Sequence, residues 1–208
     1  ETDLGWRAFA RAEPNPGHLS LADMESSGHV SGVITQNVDG LHLRAGSSHE
    51  IEVHGTMRRV LCLKCGQVFD RRDVAVQIEE RNPWITVPEN VALNPDGDVL
   101  PESTDGFIVP VCTVCEGMLK PDVVFFGEYV PQDRFKAAES LLRASEALIV
   151  AGSSLVVNSG VRLVERARRR SIPLIIINRE PTRADVWADA TIAAGTSDVL
   201  PAIQELLE

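Results

Sequence analysis

Four short apolar runs, each followed by a polar or glycine-containing turn, give this chain its basic pattern. They cover residues 33–35, 147–151, 174–177 and 190–194. Continuous apolar runs rich in β-branched residues are typical of strands that are buried on both faces of a parallel sheet. The pattern therefore predicts four strands of one such sheet.

Stretches with helical spacing separate these runs. One contains apolar positions at mixed helical spacing, namely Phe135, Ala138, Leu141, Leu142 and Leu148. In another, Val161, Val164 and Ala167 share one face of a predicted helix. Its opposite face carries arginines, namely Arg162, Arg166, Arg169 and Arg170. Alternation of strands with helices predicts an α/β fold with a parallel sheet.

The stretch from Cys62 to Cys115 interrupts this alternation. It contains five of the 12 prolines and the turn sequence Asn94-Pro95-Asp96-Gly97, which together disfavour long regular elements. We therefore predict a separate lobe over residues 62–115, with one short helix from Asp73 to Arg81. Residues 1–61 and 116–208 then form the main domain.

Composition and charge exclude several classes of protein. The 208 residues are 44% hydrophobic and 24% charged, which argues against disorder and collagen. The net charge of −10 repels phosphate backbones, so we expect no nucleic acid among the partners. We interpret the arginines of residues 166–170 as a solvated helix face rather than a nucleic-acid patch. No run approaches the roughly 20 apolar residues that span a bilayer, so we expect no membrane association. The first residues do not resemble a targeting segment.

All four cysteines fall into two Cys-x-x-Cys pairs. They are Cys62 with Cys65, and Cys112 with Cys115. Two thiolates at this spacing can reach one ion, so two pairs can complete a tetrahedral Zn²⁺ site. Four protein ligands leave no position for water or substrate, which predicts a structural rather than a catalytic zinc. The 46 residues between the pairs exceed the usual zinc-ribbon spacing, and redox-active or simply buried pairs remain the alternatives.

Polar residues follow three of the predicted strands, where open α/β sheets bind ligands. Gly152-Ser153-Ser154 is expected between a strand and a helix, where backbone N–H groups can bind phosphate, although a helix N-cap would have the same sequence. Asn178-Arg179-Glu180 offers groups that could hold a ribose. The stretch from Gln36 to His42 has more hydrogen-bonding side chains than a turn requires, with Asx capping as the alternative.

Spacing alone does not distinguish one functional histidine from the others. The chain has five, namely His18, His29, His42, His49 and His54. A lone histidine is usually structural.

The ordered set of these motifs resembles the sirtuin family. The matching segments are Pro14 to His18, Thr35 to His42, Val53-His54-Gly55, the cysteine pairs, Lys120 to Glu128, Gly152 to Leu155 and Ile177 to Glu180. The resemblance covers essentially the whole chain. The long segment with Asn94 to Asp98 is most similar to the class II, sirtuin-4 type.

This resemblance implies an NAD-dependent protein-lysine deacylase with a Rossmann-like, doubly wound parallel sheet and a smaller zinc-binding lobe. His54 matches the general base, and Asn37 and Asp39 complete the implied catalytic set. The implied NAD-binding residues are Gln36, Asn37, Val38, Asp39, Gly152, Ser153, Ser154, Asn178, Arg179, Glu180, Gly195 and Thr196. The implied substrate-binding residues, which would pair with peptide backbone, are Val123, Val124, Phe125, Phe126 and Gly127.

The implied chemistry agrees with these residue types. Cleavage of the nicotinamide–ribose bond builds positive charge on the sugar, which carboxylates and amides stabilise. An imidazole with a pKa near neutrality can take a proton from a ribose hydroxyl. The expected partners are proteins or peptides that carry acylated lysine.

The chain departs from the family pattern at one point. The Gly-Ala-Gly-x-Ser phosphate loop and the following Asp-Tyr-Arg-like segment do not occur in the 208 residues, and the sequence starts at Glu1 rather than Met. We therefore expect the first strand–helix unit to be missing, which would weaken NAD binding. This leaves a catalytically impaired, zinc-stabilised acyl-lysine-binding module and a mono-ADP-ribosyltransferase as alternative functions, with a zinc-ribbon nucleic-acid binder as a more remote one.

The cysteine content bears on the cellular compartment. Paired thiols with no spare cysteine favour a reducing interior, so we expect the bacterial cytoplasm, with the mitochondrial matrix as the alternative. The acyl group, the substrate proteins and the oligomeric state do not follow from the sequence.

Overall fold

Parallel strands with helices between them form the larger of two units in the computed structural model, which describes residues 10–84 and 105–207. This larger unit comprises Glu13–Gln36, Leu41–His54 and the described part of Phe126–Glu208. The smaller unit comprises Asn37–Gly40 and the described parts of Glu1–Ala12 and Gly55–Phe125.

The elements of the described residues are as follows. The strands are β1 (Val33–Thr35), β2 (Glu50–Glu52), β3 (Gly55–Cys62), β4 (Val68–Asp70), β5 (Leu119–Val123), β6 (Leu148–Ala151), β7 (Leu174–Ile177) and β8 (Ala190–Ile192). The helices are α1 (Pro16–Ser26), α2 (Leu41–Ala45), α3 (Arg71–Arg81), α4 (Gln132–Ala144), α5 (Asn158–Arg169) and α6 (Thr196–Leu207), with a 3-10 turn at Asp185–Trp187. None of these helices is long and apolar enough to cross a bilayer.

The strands of the larger unit form two parallel ladders. β1 pairs with β2, with Val33 opposite Glu50, and β6, β7 and β8 pair in that order. All four apolar runs of the sequence are strands, which confirms the α/β prediction, but among the described residues they lie in two ladders rather than one sheet, and β8 is exposed at all three positions. Two of them are shorter than expected, because β6 begins at Leu148 and β8 ends at Ile192. Leu148 therefore belongs to a strand and not to the preceding helix.

Both faces of β7 are covered, as a doubly wound sheet requires. Ile176 packs with Val164 of α5, whereas Ile177 packs on the opposite face with Met24 of α1 and Leu200 of α6. Successive strand residues point to opposite faces, so one continuous run of isoleucines serves two cores. This is the reason that β7 is apolar at every position.

A third cluster joins α4 and α5 to the β1–β2 ladder. Phe135, Ala138 and Leu142 of α4 are buried with Leu163 and Ala167 of α5, and Val53 lies among them. Ile34 and Ile51, one from each strand of the ladder, pack against this cluster. The helical spacing in the sequence therefore identified the buried face of α4 and, in α5, Val164 and Ala167, but it missed Leu163.

The smaller unit contains an antiparallel sheet in the order β4-β3-β5. The helix α3 packs Val74 and Ile78 against Val60 of β3, and Asp70 caps the helix by accepting a hydrogen bond of 2.8 Å from the Arg72 N–H. A helix was expected here from Asp73, and it begins two residues earlier. The predicted turn at Asn94–Asp98 lies outside the described residues. The division into residues 62–115 and the remainder stays a prediction.

Candidate functional site

The imidazole of His54 is held on both sides in the larger unit. Its Nδ1 lies 3.0 Å from the backbone carbonyl oxygen of Gln36, directly after β1, and its Nε2 lies 2.8 Å from Oγ of Ser159 in the first turn of α5. His54 itself follows β2 by two residues. The carboxyl ends of two parallel strands and one helix N-terminus therefore meet at this ring, which is the usual place for a ligand site in an α/β fold.

The side chain of Gln36 extends this arrangement to β6. Its Nε2 donates a hydrogen bond of 3.1 Å to Oγ of Ser153, and the same oxygen accepts a bond of 3.3 Å from the N–H of Leu155. Leu155 is buried and has a φ of +54°, an unusual backbone conformation for a bulky residue. Such strained positions persist when the surrounding contacts determine them, and they cluster at functional sites.

Gly160 gives Gln36 the space that it occupies. A Cβ at this position would lie 3.0 Å from Nε2 of Gln36 and 3.1 Å from Cδ2 of Leu155. A side chain at position 160 would therefore displace the amide of Gln36, the turn at Leu155, or both.

The turn after β6 differs from the strand–turn–helix unit expected from the sequence. Helix α5 begins at Asn158, so Leu155, Val156 and Val157 separate it from Ser154. The Val157 N-cap makes no side-chain capping hydrogen bond. Gly152 has a φ of +63°, which favours glycine, and a Cβ there would lie 3.3 Å from Cγ2 of Thr196.

The residues after β7 and β8 form a second group within this unit. The Asn178 side chain donates a hydrogen bond of 2.6 Å to the Glu180 carbonyl oxygen. The guanidinium of Arg179 lies against Gly195, where a Cβ would be 2.9 Å from Nη2. The structure thus brings Gly195 and Thr196 close to Arg179 and Gly152 respectively, as expected of residues that line one edge of a sheet.

Burial favours the neutral form of the His54 imidazole. Desolvation lowers the pKa of His54 below its ordinary value of 6.5, and the hydrogen bond to the Gln36 carbonyl opposes this effect without cancelling it. A neutral imidazole retains one nitrogen lone pair, so this ring can accept a proton.

The next residues of the Gln36 motif belong to the smaller unit. The carbonyl of Val38 accepts a hydrogen bond of 2.8 Å from the Met57 N–H, Asn37 is exposed and Asp39 is half-buried. Gly40 has a φ of +71°, and a Cβ there would lie 2.6 Å from Nε of Arg58. The roles of Asn37, Val38 and Asp39 stay predictions.

The segment predicted to bind a peptide starts at a sheet edge. Val123 is the last residue of β5, which pairs with β3 on one side and has no strand on its other side among the described residues. Val124 is half-buried, whereas Phe125, Phe126 and Gly127 are exposed, with 93% of Phe126 accessible. An exposed edge followed by exposed aromatic residues is a surface to which an extended peptide can add.

The four cysteine sulfurs of the smaller unit form one cluster. All four Sγ atoms lie within 4.8 Å of one another, with Cys62 and Cys115 at 3.5 Å and Cys65 and Cys112 at 3.8 Å. Four thiolates around a tetrahedral Zn²⁺ with bonds of about 2.3 Å would be separated by about 3.8 Å, so the spacing fits zinc.

The backbone around the cluster supports the same assignment. Each pair forms a similar knuckle, because the Lys64 and Val114 N–H groups each donate to the first sulfur of their pair over 3.4 Å. Hydrogen bonds from the backbone of Cys65 and Lys64 lower the pKa of Cys62 to about 6, whereas the Cys65 side chain raises the pKa of Cys115 to about 12, so Cys62 is the first thiolate of the cluster. A Cβ at Gly117 would lie 2.8 Å from the Cys62 sulfur, so glycine is needed there.

The arginine face of α5 has a structural explanation. A hollow of about 300 Å³ is lined by Glu139, Leu142 and four arginines. Arg143 belongs to the last turn of α4, Arg166 and Arg169 belong to the last turn of α5, and Arg170 directly follows α5. Cations at helix C-termini are stabilised by the helix dipole, and Arg166 also pairs with Glu139 at 2.8 Å.

Sequence reasoning missed Ser159 and Gly160. Ser159 lies 105 residues from His54 and contacts it through the fold alone. A weak signal existed, since serine followed by glycine in a first helical turn is a poor choice for helix propensity.

Comparisons with known proteins agree with the geometry. The model of the Sir2 family matches residues 5–159. "NAD-dependent protein deacetylase 1" of Streptomyces coelicolor is 46% identical over 206 residues, which cover 98% of this chain and 69% of the relative. "NAD-dependent protein lipoamidase sirtuin-4, mitochondrial" of Bos taurus is 40% identical over 203 residues, 96% of this chain and 64% of the relative.

A solved structure supports the same relationship. A complex of Sir2 with a p53 peptide and NAD+ superimposes with a TM-score of 0.77 and 31% identity. The match covers 96% of this chain and 72% of that one.

Proposed function

Since this chain belongs to the Sir2 family, the sirtuins, we propose that it is an NAD-dependent protein-lysine deacylase, which releases nicotinamide and O-acyl-ADP-ribose. The observation that carries this proposal is the His54 ring, which is held between the Gln36 carbonyl and the Ser159 hydroxyl at the carboxyl ends of parallel strands, and whose pKa is lowered by burial. Relatives named NAD-dependent protein deacetylase, and Sir2 structures with NAD+ and with acetylated peptide, support it.

The reaction uses these residues in two steps. When the bond between nicotinamide and ribose breaks, positive charge develops on the ribose, and we assign its stabilisation to Gln36, Asn37 and Asp39. The acyl oxygen of the lysine amide then bonds to the ribose carbon that nicotinamide has left. His54 takes the proton from a ribose hydroxyl, whose oxygen attacks the acyl carbon. Water completes the release of free lysine and acylated ADP-ribose.

NAD would be held along one edge of the larger unit. We assign the phosphate and ribose side to the turn after β6, with Gly152, Ser153 and Ser154. We assign the adenosine side to the turns after β7 and β8, with Asn178, Arg179, Glu180, Gly195 and Thr196. The close approach of Arg179 to Gly195 supports this assignment, because it leaves the guanidinium beside the backbone of the α6 N-terminus. We also assign Val38 to NAD binding, because it lies between Asn37 and Asp39 in the sequence.

The acylated peptide would extend the antiparallel sheet of the smaller unit. We propose that residues from Val123 to Gly127 pair with its backbone as an added strand. The position of β5 at the sheet edge supports this mode of binding, in which backbone hydrogen bonds supply affinity. The zinc held by Cys62, Cys65, Cys112 and Cys115 would stabilise this unit without taking part in the reaction.

The thiols support a proposal for the cellular compartment. Four free cysteines paired as candidate zinc ligands favour a reducing interior, so we propose the bacterial cytoplasm, with the mitochondrial matrix as the second candidate. The relatives include a bacterial protein and one named mitochondrial.

The test is an assay of the full chain with NAD and lysine-acylated peptides. The panel carries acetyl, propionyl and lipoyl groups, because related proteins are named for or complexed with these. We expect nicotinamide release that depends on the peptide, with acylated ADP-ribose detected by mass spectrometry. His54→Ala should lower kcat by about 100-fold or more while NAD binding is retained. His29→Ala is the matched control, because this histidine is exposed in the turn that follows α1.

Other outcomes would identify other functions. Transfer of ADP-ribose to protein, seen as a mass increase on the acceptor, would indicate a mono-ADP-ribosyltransferase. Binding of acylated peptide without nicotinamide release would indicate a binding module. Near-normal turnover by His54→Ala would remove His54 from the role of general base.

A further inference from the structure

Ser159 contacts the ring of His54 although it belongs to no sequence motif that predicted the site. It is the second residue of α5, its side chain is buried with 7% exposure, and its Oγ lies 2.8 Å from Nε2. The two residues are 105 positions apart. The fold therefore brings a buried hydroxyl to the ring nitrogen that faces away from the Gln36 carbonyl.

The proton positions on the ring follow from its two partners. A backbone carbonyl only accepts hydrogen bonds, so the 3.0 Å contact with Gln36 requires that Nδ1 carries a hydrogen. In a neutral imidazole Nε2 then has the lone pair, and the Ser159 hydroxyl must donate to it. Both partners are uncharged, so neither forces the ring to become an imidazolium.

We propose that Ser159 is a positioning residue for catalysis, which holds the His54 ring so that the Nε2 lone pair is the group that accepts the substrate proton. This inference rests on the proposed function. A second partner is needed because the Gln36 contact alone leaves the ring free to tilt about the line from Nδ1 to the carbonyl.

The hydroxyl can serve both protonation states of the ring. Before proton transfer, Ser159 donates to Nε2. For the transfer, the serine O–H rotates away and the ribose hydroxyl takes its place at the Nε2 lone pair and gives up its proton; once the ribose oxygen has bonded to the acyl carbon, the new Nε2–H can donate to Oγ of Ser159. Serine neither gains nor loses a proton in this exchange, and the positive charge stays on the imidazolium. A charge-assisted bond of this kind is stronger than its neutral counterpart, so the contact that forms again after the transfer stabilises the imidazolium.

A purely structural role explains the contact less well. The Ser159 hydroxyl bonds to His54 and not to the backbone of α5, whose N-cap has no side-chain hydrogen bond. Serine also has a lower helix propensity than alanine, so the helix alone gives no reason for it at this position.

The test compares substitutions at position 159 in the full chain. Ser159→Ala should lower kcat about 10-fold and change the KM for NAD by less than about twofold, because orientation of the base affects the chemical step. Ser159→Thr retains the hydroxyl and should restore kcat to within about threefold of the native value. Ser159→Cys has a similar shape and a poor hydrogen-bond donor, so it should behave like alanine and serves if Ser159→Ala does not fold. Ser197→Ala removes serine from the second position of α6 and is the matched control.

A spectroscopic measurement tests the contact without turnover. In ¹⁵N-labelled protein, the Nε2 resonance of His54, assigned by its loss in His54→Ala, should move in Ser159→Ala and return in Ser159→Thr. Native kcat in Ser159→Ala, an unchanged Nε2 resonance, or a rise confined to KM would overturn the inference. If the native chain releases no nicotinamide, the proposed function fails, and the resonance still decides whether Ser159 orients the ring.

Discussion

The amide of Gln36 donates a hydrogen bond of 3.1 Å to the hydroxyl of Ser153, 117 positions further along the chain. It connects the residue after β1 with the turn after β6, although these strands belong to different ladders. Ser153 in turn accepts from the Leu155 N–H, which stabilises the turn with its positive φ at Leu155. One glutamine side chain therefore fixes the shape of the loop to which we assign the phosphate side of NAD.

Gln36→Ala should weaken NAD binding and folding by similar free energies. The substitution removes the side-chain donor to Ser153 but keeps the backbone carbonyl that orients His54. The loss of one hydrogen bond is worth about 1 kcal/mol, so we expect the Kd for NAD to rise about fivefold to tenfold and the unfolding free energy to fall by a similar energy. Isothermal titration with NAD measures the first and urea unfolding the second. An unchanged Kd would show that the Ser153 turn does not contact the cofactor.

Gly160→Ala should destabilise the chain, although alanine normally stabilises a helix. The change would ordinarily stabilise by up to about 1 kcal/mol. Here the new methyl group would lie 3.0 Å from the Gln36 amide, so we expect a net loss of about 1–2 kcal/mol and lower activity. Urea unfolding and steady-state kinetics measure these effects.

The double variant Gln36→Ala with Gly160→Ala is the control for this mechanism. Truncation of Gln36 removes one of the two side chains that the methyl group would meet, so the two losses should be less than additive. Strict additivity would mean that the Gln36 contact does not cause the loss.

Much of the fold could be predicted because its signals are local. The isoleucines of β7 are apolar at each position since both sheet faces are covered, and the Cys-x-x-Cys pairs need no long-range information to suggest a metal. The strand β2 was missed because Glu50-Ile51-Glu52 has one apolar residue and gains its partner β1 only through the fold.

The site was less accessible to sequence reasoning for a physical reason. His54 could not be distinguished from four other histidines by spacing, and its identification depended on a family resemblance. Its partner Ser159 follows a turn whose shape depends on Ser153 and Leu155. A contact between residues 105 positions apart requires the strands to be in register, which local propensity does not encode.

Removal of zinc should unfold the smaller unit. Chelation would leave four thiols within 4.8 Å of one another, with no ion to hold Cys62 at the end of β3 near the pair Cys112 and Cys115. Because structural zinc sites contribute on the order of 10 kcal/mol, we expect loss of far-UV ellipticity and of the native melting transition. Circular dichroism of the chelated chain and elemental analysis of zinc per chain provide the measurement.

Two substitutions separate loss of a ligand from loss of space. Cys112→Ser removes a buried ligand, and Gly117→Ala keeps all four thiols but brings a methyl group to 2.8 Å from the Cys62 sulfur. Both should lower the zinc content. A stripped chain that kept its native spectrum and melting point would show that the cluster does not require metal.

Activity should extend to a lower pH than an ordinary histidine would allow. Burial lowers the pKa of His54 below 6.5, so most of the ring is still an unprotonated base at pH 6.5. Activity is lost as the pH falls through this lowered pKa, because the ring then becomes protonated. The acid limb of the kcat/KM profile should therefore have its midpoint below 6.5.

The same lowered pKa affects stability. As the pH falls, the unfolded chain binds a proton at His54 before the folded chain does, so the contribution of His54 to the unfolding free energy is complete above pH 6.5 and decreases with acidification. NMR titration of the ring, assigned with His54→Ala, checks the pKa directly. A midpoint at or above 6.5 in both experiments would mean that water reaches the ring freely. It would contradict the claim that burial lowers the pKa of His54.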